Sequence, residues 1–227
     1  METIQLIQTG DGSSSLLNLA LNETYHSTHG AIQESNHVFI KNGLQFFLEK
    51  TKADAVSIFE VGLGTGLNIL LSIKFSERNK LKIHYTSIEA FPIDWITASQ
   101  LNYGSRLKDK KLPALFQLIH QSDWDKETAI SERFSLYKIK SDLLSFRPNF
   151  NQFDLIFFDA FAPSKQPEMW TLKILEKIFL TMKPGGVFIT YCAKGQLKRD
   201  LKSLGLNVES LPGPPGKREM VRAGKAK

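Results

Sequence analysis

Four carboxylates stand where short apolar runs end: Glu60 at the close of 55–61, Glu89 at the close of 82–89, Asp142 just past 134–140 and Asp159 at the close of 153–159. A carboxylate so placed can accept hydrogen bonds from paired hydroxyls or an amino group, or can take a proton. Between the first two lies Gly62-Leu63-Gly64-Thr65-Gly66. Its glycines permit positive φ and a close backbone approach to a ligand at the start of a helix. The spacing G-x-G-x-G lacks the third glycine position of the G-x-G-x-x-G dinucleotide fingerprint.

Glu60, immediately before the loop, would repel a pyrophosphate but not the cationic, amino-bearing methionine part of S-adenosylmethionine. Glu89, 23 residues past Gly66, suits the two hydroxyls of a ribose. Asp142 can receive an adenine amino group, with Leu143 beside the ring. Asp159 opens the segment DAFAPSKQPEMW, 159–170, whose polar and aromatic residues would lie over a transferable methyl group. Methyl transfer is in-line displacement at a sulfonium carbon, so the protein chiefly positions and desolvates the nucleophile. An amine nucleophile must be neutral, and Asp159 could orient it and take its proton. Phe161 and Trp170 can stack on a base or simply pack.

These positions require a particular framework. The runs 55–61, 82–89, 134–140, 153–159 and 186–192 read as strands. Helical patterns cover 37–50, 67–75, 167–182 and 195–204, with a mixed helical stretch over roughly 92–132. This alternation predicts a mostly parallel sheet with helices on both faces, whose carboxyl edge is the ligand edge. The segments 206–210 and 218–223, joined by LPGPPGK (211–217), predict a closing antiparallel hairpin. His26, His29 and His37 have spacings of 3 and 8 and no cysteine partner. They read as part of an N-terminal lid, with no metal.

Composition narrows the class. With 42% hydrophobic and 23% charged residues, the chain is not of disordered or low-complexity type. The single Cys192 leaves no intramolecular disulfide, which fits a reducing compartment. No signal peptide and no apolar run of spanning length is read, so the expected location is cytoplasmic. The net charge of +6 lies wholly in residues 194–227, which hold 9 Lys and Arg against 3 Asp and Glu. That segment is either a solvated basic tail or a surface facing nucleic-acid phosphates.

The segments TGDGSSSL (9–16), YHSTHGAIQESNHVFIKNGL (25–44), FEVGLGTGLNILL (59–71), SIEAFP (87–92), DAFAPSKQPEMW (159–170), KPGGVFITYCAKG (183–195) and PGPPGKREM (212–220) together resemble the methyltransferase domain of the tRNA 5-methylaminomethyl-2-thiouridine biosynthesis family. The resemblance is weakest over 93–150. It implies a class I S-adenosylmethionine-dependent methyltransferase fold, Rossmann-like, with a seven-stranded sheet, a closing hairpin and an N-terminal lid. It implies one domain over 1–227, with residues 1–50 as the lid or helical extension and 51–227 as the core. The cofactor implied is S-adenosyl-L-methionine. The acceptor is an aminomethyl-uridine at the wobble position, in a tRNA anticodon stem-loop. Carried over, Glu60, Gly62, Gly64 and Gly66 form the cofactor loop, Glu89 holds the ribose, Asp142 with Leu143 holds the adenine edge, and Ala90 and Phe91 also bind the cofactor. Asp159 is the acid nearest the amine, and Glu34 and Ser35 belong to the piece that closes over the cofactor.

In this family the domain occurs alone or fused to an FAD-dependent oxidoreductase. No FAD-type G-x-G-x-x-G is found here, so upstream tRNA-modifying enzymes are expected to supply the aminomethyl substrate without forming a stable complex. Glu34, Phe161, Trp170, Lys194, Lys198, Arg199, Lys217 and Arg218 are the expected substrate-side residues, the basic ones at the mouth of the site. Two other readings remain: methyl or aminopropyl transfer to a small amine, and a non-catalytic RNA-binding or scaffold domain. The basic C-terminal segment argues against the first, and retention of all four acids against the second.

Overall fold

The run Phe-Asp-Leu-Ile-Phe-Phe shows how this sequence makes a central strand. Leu155 and Phe157 enter one hydrophobic cluster, Ile156 and Phe158 the other, and all four are fully buried. A strand with period-2 side chains and no polar face must be covered on both sides. In the computed structural model, which describes residues 4–147 and 149–227, helices supply that cover.

The chain begins with a small antiparallel sheet of β1 (Ile4–Gln8), β2 (Ser14–Asn18) and β3 (Glu23–Thr24). Then α1 (Ala31–Ser35) runs through a π-helical stretch (Asn36–Gln45) into α2 (Phe46–Thr51). The core follows as β4 (Ala55–Val61), α3 (Leu67–Asn79), β5 (Lys82–Glu89), the short α4 (Trp95–Ala98) and α5 (Tyr103–Arg106), α6 (Leu112–Gln121), β6 (Glu127–Ser131) and β7 (Phe134–Lys140). It continues with β8 (Phe153–Phe158), a 3-10 turn (Pro167–Trp170), α7 (Leu172–Thr181), β9 (Met182–Thr190), α8 (Gly195–Ser203), β10 (Asn207–Pro212) and β11 (Glu219–Gly224).

The main sheet has the order β10-β11-β9-β8-β4-β5-β7-β6. Strands β9, β8, β4, β5 and β7 are parallel neighbours, while β11 runs antiparallel to both β9 and β10, and β6 antiparallel to β7. The π-helical stretch, α3 and α6 cover one face with Phe39, Leu44, Leu70 and Phe116. Helices α7 and α8 cover the other with Leu175, Ile178, Leu197 and Leu201.

The sheet has eight strands, not the seven expected. The additional strand is β6, inside the stretch read as mixed helix. Its Glu-Thr-Ala-Ile-Ser buries only Ile130, and Glu132 and Arg133 turn it back onto β7 with a register shift between Ala129 and Ser131. An edge strand with one buried residue lacks the alternation that reveals a strand in sequence. The first sheet, β1 to β3, falls within the segment read as lid or helical extension. It is pinned to the core by Asn102, whose Oδ1 accepts from the Ser14 backbone N–H (2.9 Å) and whose Nδ2 donates to the Gly12 carbonyl (3.0 Å).

Candidate functional site

At the carboxyl edge of β4, β5, β7 and β8 the chain encloses a cavity of about 640 Å³, within the size range of small-molecule and cofactor sites. Its floor is the turn from β4 into α3. Gly62 there has φ +89°, and a Cβ at this position would lie 2.8 Å from the Asp159 carbonyl oxygen. Only glycine permits this approach, which sets the first loop of the floor against the end of β8.

The acids take different positions. Glu89 lines the cavity and holds the loop around it: its Oε2 accepts from Gly64 N–H (3.0 Å) and its Oε1 from Phe91 N–H (2.9 Å). Each oxygen keeps a second lone pair for a ligand hydroxyl. Asp142 also lines the wall; its Oδ1 accepts from Leu144 N–H (2.8 Å), and Leu143 beside it is buried. Ala90 and the exposed Phe91 complete this side. Asp159 lines the opposite wall. Burial pushes its carboxyl up to about 7; the nearby Glu34 pushes the same way, while Asn68 and Lys217 oppose. An acid there is half ionised near neutral pH, which suits proton exchange with an amine.

Glu60 does not reach the cavity surface. It is fully buried, accepting from Ser87 Oγ (2.7 Å) and from Asn68 Nδ2 (3.0 Å). Burial raises its pKa to about 8, with Asp159 adding to the rise against the Ser87 and Asn68 hydrogen bonds. Gly66 is likewise not a wall residue, serving as the N-cap of α3 with φ +73°. Gly62 and Gly64 are wall residues.

The N-terminal segment closes the cavity from above. Tyr25 lies against Gly64 and packs edge-on to Phe161, with ring centroids 5.0 Å apart. His26 shares a 2.7 Å hydrogen bond with Thr65 Oγ1 and stays neutral, its pKa lowered to about 4 by burial. His29 lies against Gly216, and His37 hydrogen-bonds the Pro212 carbonyl (2.9 Å). Among the described residues no group of three His, Cys, Asp or Glu is placed to hold a metal ion, and no helix is long and apolar enough to cross a membrane.

Glu34 lines the wall; its Oε2 accepts from Ser27 N–H (2.7 Å) and its Oε1 from Lys217 Nζ (2.8 Å). The Lys217 ammonium also sits 3.6 Å from the centroid of Tyr191, whose hydroxyl donates to the Ala160 carbonyl (2.8 Å). Of the five basic residues expected at the mouth, Lys217 alone belongs to the cavity wall. Lys198 is paired with Glu219 at 2.6 Å, Arg199 donates to Gln196 Oε1 (2.8 Å), and Lys194 is the N-cap of α8. Arg218 adjoins Lys217 in the hairpin loop, outside the wall. Phe161 lines the wall, whereas Trp170 is buried behind it, edge-on to Phe158 and donating from Nε1 to the Phe161 carbonyl (2.8 Å).

Asn68, Tyr25 and Tyr191 were not identified from sequence. Asn68 did carry a signal: it is the single polar residue of Leu67-Asn68-Ile69-Leu70-Leu71, on a helix that burial should make wholly apolar.

Three comparisons bear on this geometry. The family described as S-adenosyl-L-methionine-dependent methyltransferase matches residues 111–226. The tRNA 5-methylaminomethyl-2-thiouridine biosynthesis bifunctional protein MnmC of Chromobacterium violaceum is 30% identical over 209 residues, covering 87% of this chain and 31% of that protein. The chain therefore spans about a third of the length of this relative. The crystal structure of MNMC2 from Aquifex aeolicus superposes with a TM-score of 0.78 at 25% identity, over 99% of this chain and 71% of that one. A Listeria monocytogenes protein assigned to the class I S-adenosylmethionine-dependent methyltransferases shares the fold, with a TM-score of 0.51 at 16% identity over 87% of this chain and 61% of that one.

Proposed function

Because the chain belongs to the S-adenosyl-L-methionine-dependent methyltransferases, we propose that it N-methylates the 5-aminomethyl group of a wobble uridine in tRNA. The observation that carries this reading is Asp159, an acid raised to about 7 on the cavity wall beside the glycine turn. The relative's name supplies the acceptor: a tRNA 5-methylaminomethyl-2-thiouridine biosynthesis protein.

The wall suits the cofactor. Gly62 and Gly64 bring bare backbone to the floor, and Glu89 presents two carboxylate oxygens to the ribose hydroxyls. Asp142, Leu143, Ala90 and Phe91 flank the adenine. Glu60 and Gly66 act from behind, holding the turn. S-adenosyl-L-methionine supplies a methyl group on a sulfonium sulfur, open to in-line displacement with loss of a neutral thioether. Asp159 accepts a hydrogen bond from the neutral acceptor nitrogen and orients it. The Asp159 carboxylate would receive the proton that the acceptor nitrogen gives up on methylation. Phe161 and Tyr25, packed together at the wall, exclude water and offer an aromatic edge to the uracil. Trp170 fixes Phe161 from behind. Glu34 attracts the amine, and Lys194, Arg199 and Arg218 meet tRNA phosphates outside the mouth. The whole of 1–227 acts as one methyltransferase domain, in the cytoplasm, on a substrate delivered by other tRNA-modifying enzymes without a lasting complex.

The test is radiolabelled methyl transfer to bulk tRNA from a strain lacking the modification, with nucleoside mass spectrometry of the product. A methylated aminomethyl-uridine is expected, reduced about 10²- to 10⁴-fold in Asp159→Asn. Transfer to a polyamine and none to tRNA would overturn the reading.

A further inference from the structure

One amide joins the cavity-lining Asp159 to the buried Glu60. Asn68 Nδ2 donates to Asp159 Oδ2 (2.8 Å) and, with its second hydrogen, to Glu60 Oε1 (3.0 Å). Asn68 is itself buried, at 3% exposure, and its Oδ1 has no partner among the described residues. A buried amide acceptor left unpaired is costly and needs a reason. Turning the amide over would relieve it but would set Oδ1 against both carboxyl groups. The orientation is therefore fixed by the acids, at the expense of the orphaned oxygen.

We infer that Asn68 is a positioning residue for the reaction, its amide tying the Asp159 carboxyl to the buried Glu60 so that Oδ1 of Asp159 is the oxygen left for the acceptor amine. This rests on the reading of Asp159 as the proton acceptor. The geometry supports it on three counts. Asp159 Oδ1 has no hydrogen-bond partner among the described residues, so only Oδ2 is committed to the protein. Glu60 is anchored on its far side by Ser87 and cannot swing into the cavity. Asn68 stands in the first turn of α3, directly after the glycine turn, so the same helix start shapes the floor and aims the acid.

The charge balance at Asp159 is shared by elements all round it. Glu34 comes from α1, Glu60 from β4, Tyr85 from β5, Tyr191 from the end of β9 and Lys217 from the hairpin loop. Lys217 and the Asn68 amide lower the Asp159 pKa while Glu34 raises it. Removing the amide therefore leaves a carboxyl that is harder to ionise and free to rotate. Both effects fall on the chemical step rather than on cofactor capture.

The test uses Asn68→Ala in the full chain. Titration of ¹³C-carboxyl-labelled protein by NMR follows Asp159 directly, with no substrate present. In Asn68→Ala its midpoint is expected to rise by about one pH unit, the size of a lost hydrogen bond to a charged group. The acid limb of the kcat profile should move with it, and kcat at pH 7 should fall about tenfold or more while the cofactor KM stays within about threefold. Circular dichroism and thermal unfolding of Asn68→Ala against wild type guard against a result caused by misfolding. An unmoved midpoint and acid limb in a folded Asn68→Ala would overturn the inference, as would a loss confined to cofactor KM. A wild-type chain that methylates no tRNA would overturn the function instead, and the NMR midpoint would still decide the role of Asn68.

Discussion

Lys217 donates to Glu34 across 183 residues of sequence, tying the loop of the closing hairpin to the helix that follows the first sheet. Glu34 is only 6% exposed, so the pair neutralises a carboxylate that would otherwise stand bare beside Asp159. Its two members push Asp159 in opposite directions. Glu34→Gln should lower the acid limb of the methyl-transfer profile, and Lys217→Met should raise it. Opposite movements of the two variants, read in pH–rate profiles, check this; movement in the same direction would contradict it. Lys217→Met should also cost about 1–3 kcal/mol of stability, less than for a fully buried pair because the lysine side chain is one-third exposed.

Glu89 has a double duty that an alanine scan can expose. Its carboxylate holds Gly64 and Phe91 by their backbone N–H groups before any ligand arrives. Glu89→Ala should therefore weaken S-adenosyl-L-methionine binding by at least about 1.5–3 kcal/mol, the range for hydrogen bonds to a charged group. Isothermal titration measures it, and near wild-type affinity would remove Glu89 from the site.

The basic surface makes a separable prediction. Lys198 is engaged by Glu219, so its charge is already offset and Lys198→Ala alone should change little. Neutralising Lys194, Arg199 and Arg218 together should reduce the salt slope of tRNA binding by about 2, at roughly 0.7 per single-strand phosphate contact. Cofactor affinity should not change. A slope equal to wild type would return these residues to the role of a solvated face.

Stability should depend on pH in a way opposite to most proteins near neutrality. Glu60 and Asp159 are raised to about 8 and about 7 from ordinary values of 4.5 and 3.8. Between pH 8 and 6.5 the folded chain thus binds protons that the unfolded chain does not, and stability rises as pH falls. His26 and His120 are both lowered to about 4 from 6.5, chiefly by burial. Below pH 6.5 the unfolded chain protonates these two, and the two effects cancel. Thermal unfolding should show Tm level between pH 5 and 6 and falling between about pH 6.5 and 7.5, by about 1.4 kcal/mol per pH unit for each proton, above which Lys138, lowered to about 8 by burial, opposes the trend. Glu60→Gln should flatten that fall. A Tm that climbs from about pH 6.5 to 7.5 would contradict the buried-acid assignment.

What could be read from the sequence follows the strength of the burial pattern. Strands β4, β5, β7, β8 and β9 announce themselves because both faces or a full alternating face are apolar, and their ends fix where Glu89, Asp142 and Asp159 emerge. Strand β1 buries nothing fully, β6 buries one residue, and both owe their form to pairing partners rather than to pattern. At the site, residue types at strand ends pointed to the acids, but not to how they share one amide. That bridge depends on Asn68, Glu60 and Asp159 converging from three elements, a relation that no spacing encodes. Lys217 was visible as a basic residue, yet its partner lies on α1, far away in sequence.

The placement of that lysine has a consequence for biosynthesis. A chain leaving the ribosome delivers Glu34 and the glycine turn early, then Asp159, and the hairpin carrying Lys217 only near the end, while β11 must still slip between β9 and β10. Until then the nascent pocket holds its acids without the Lys217 counter-charge, and the N-terminal lid lacks the hairpin contacts of His29 and His37. Catalytic readiness is thus coupled to completion of the hairpin, and a prematurely terminated product would carry the chemistry's carboxylates without the cation that balances them.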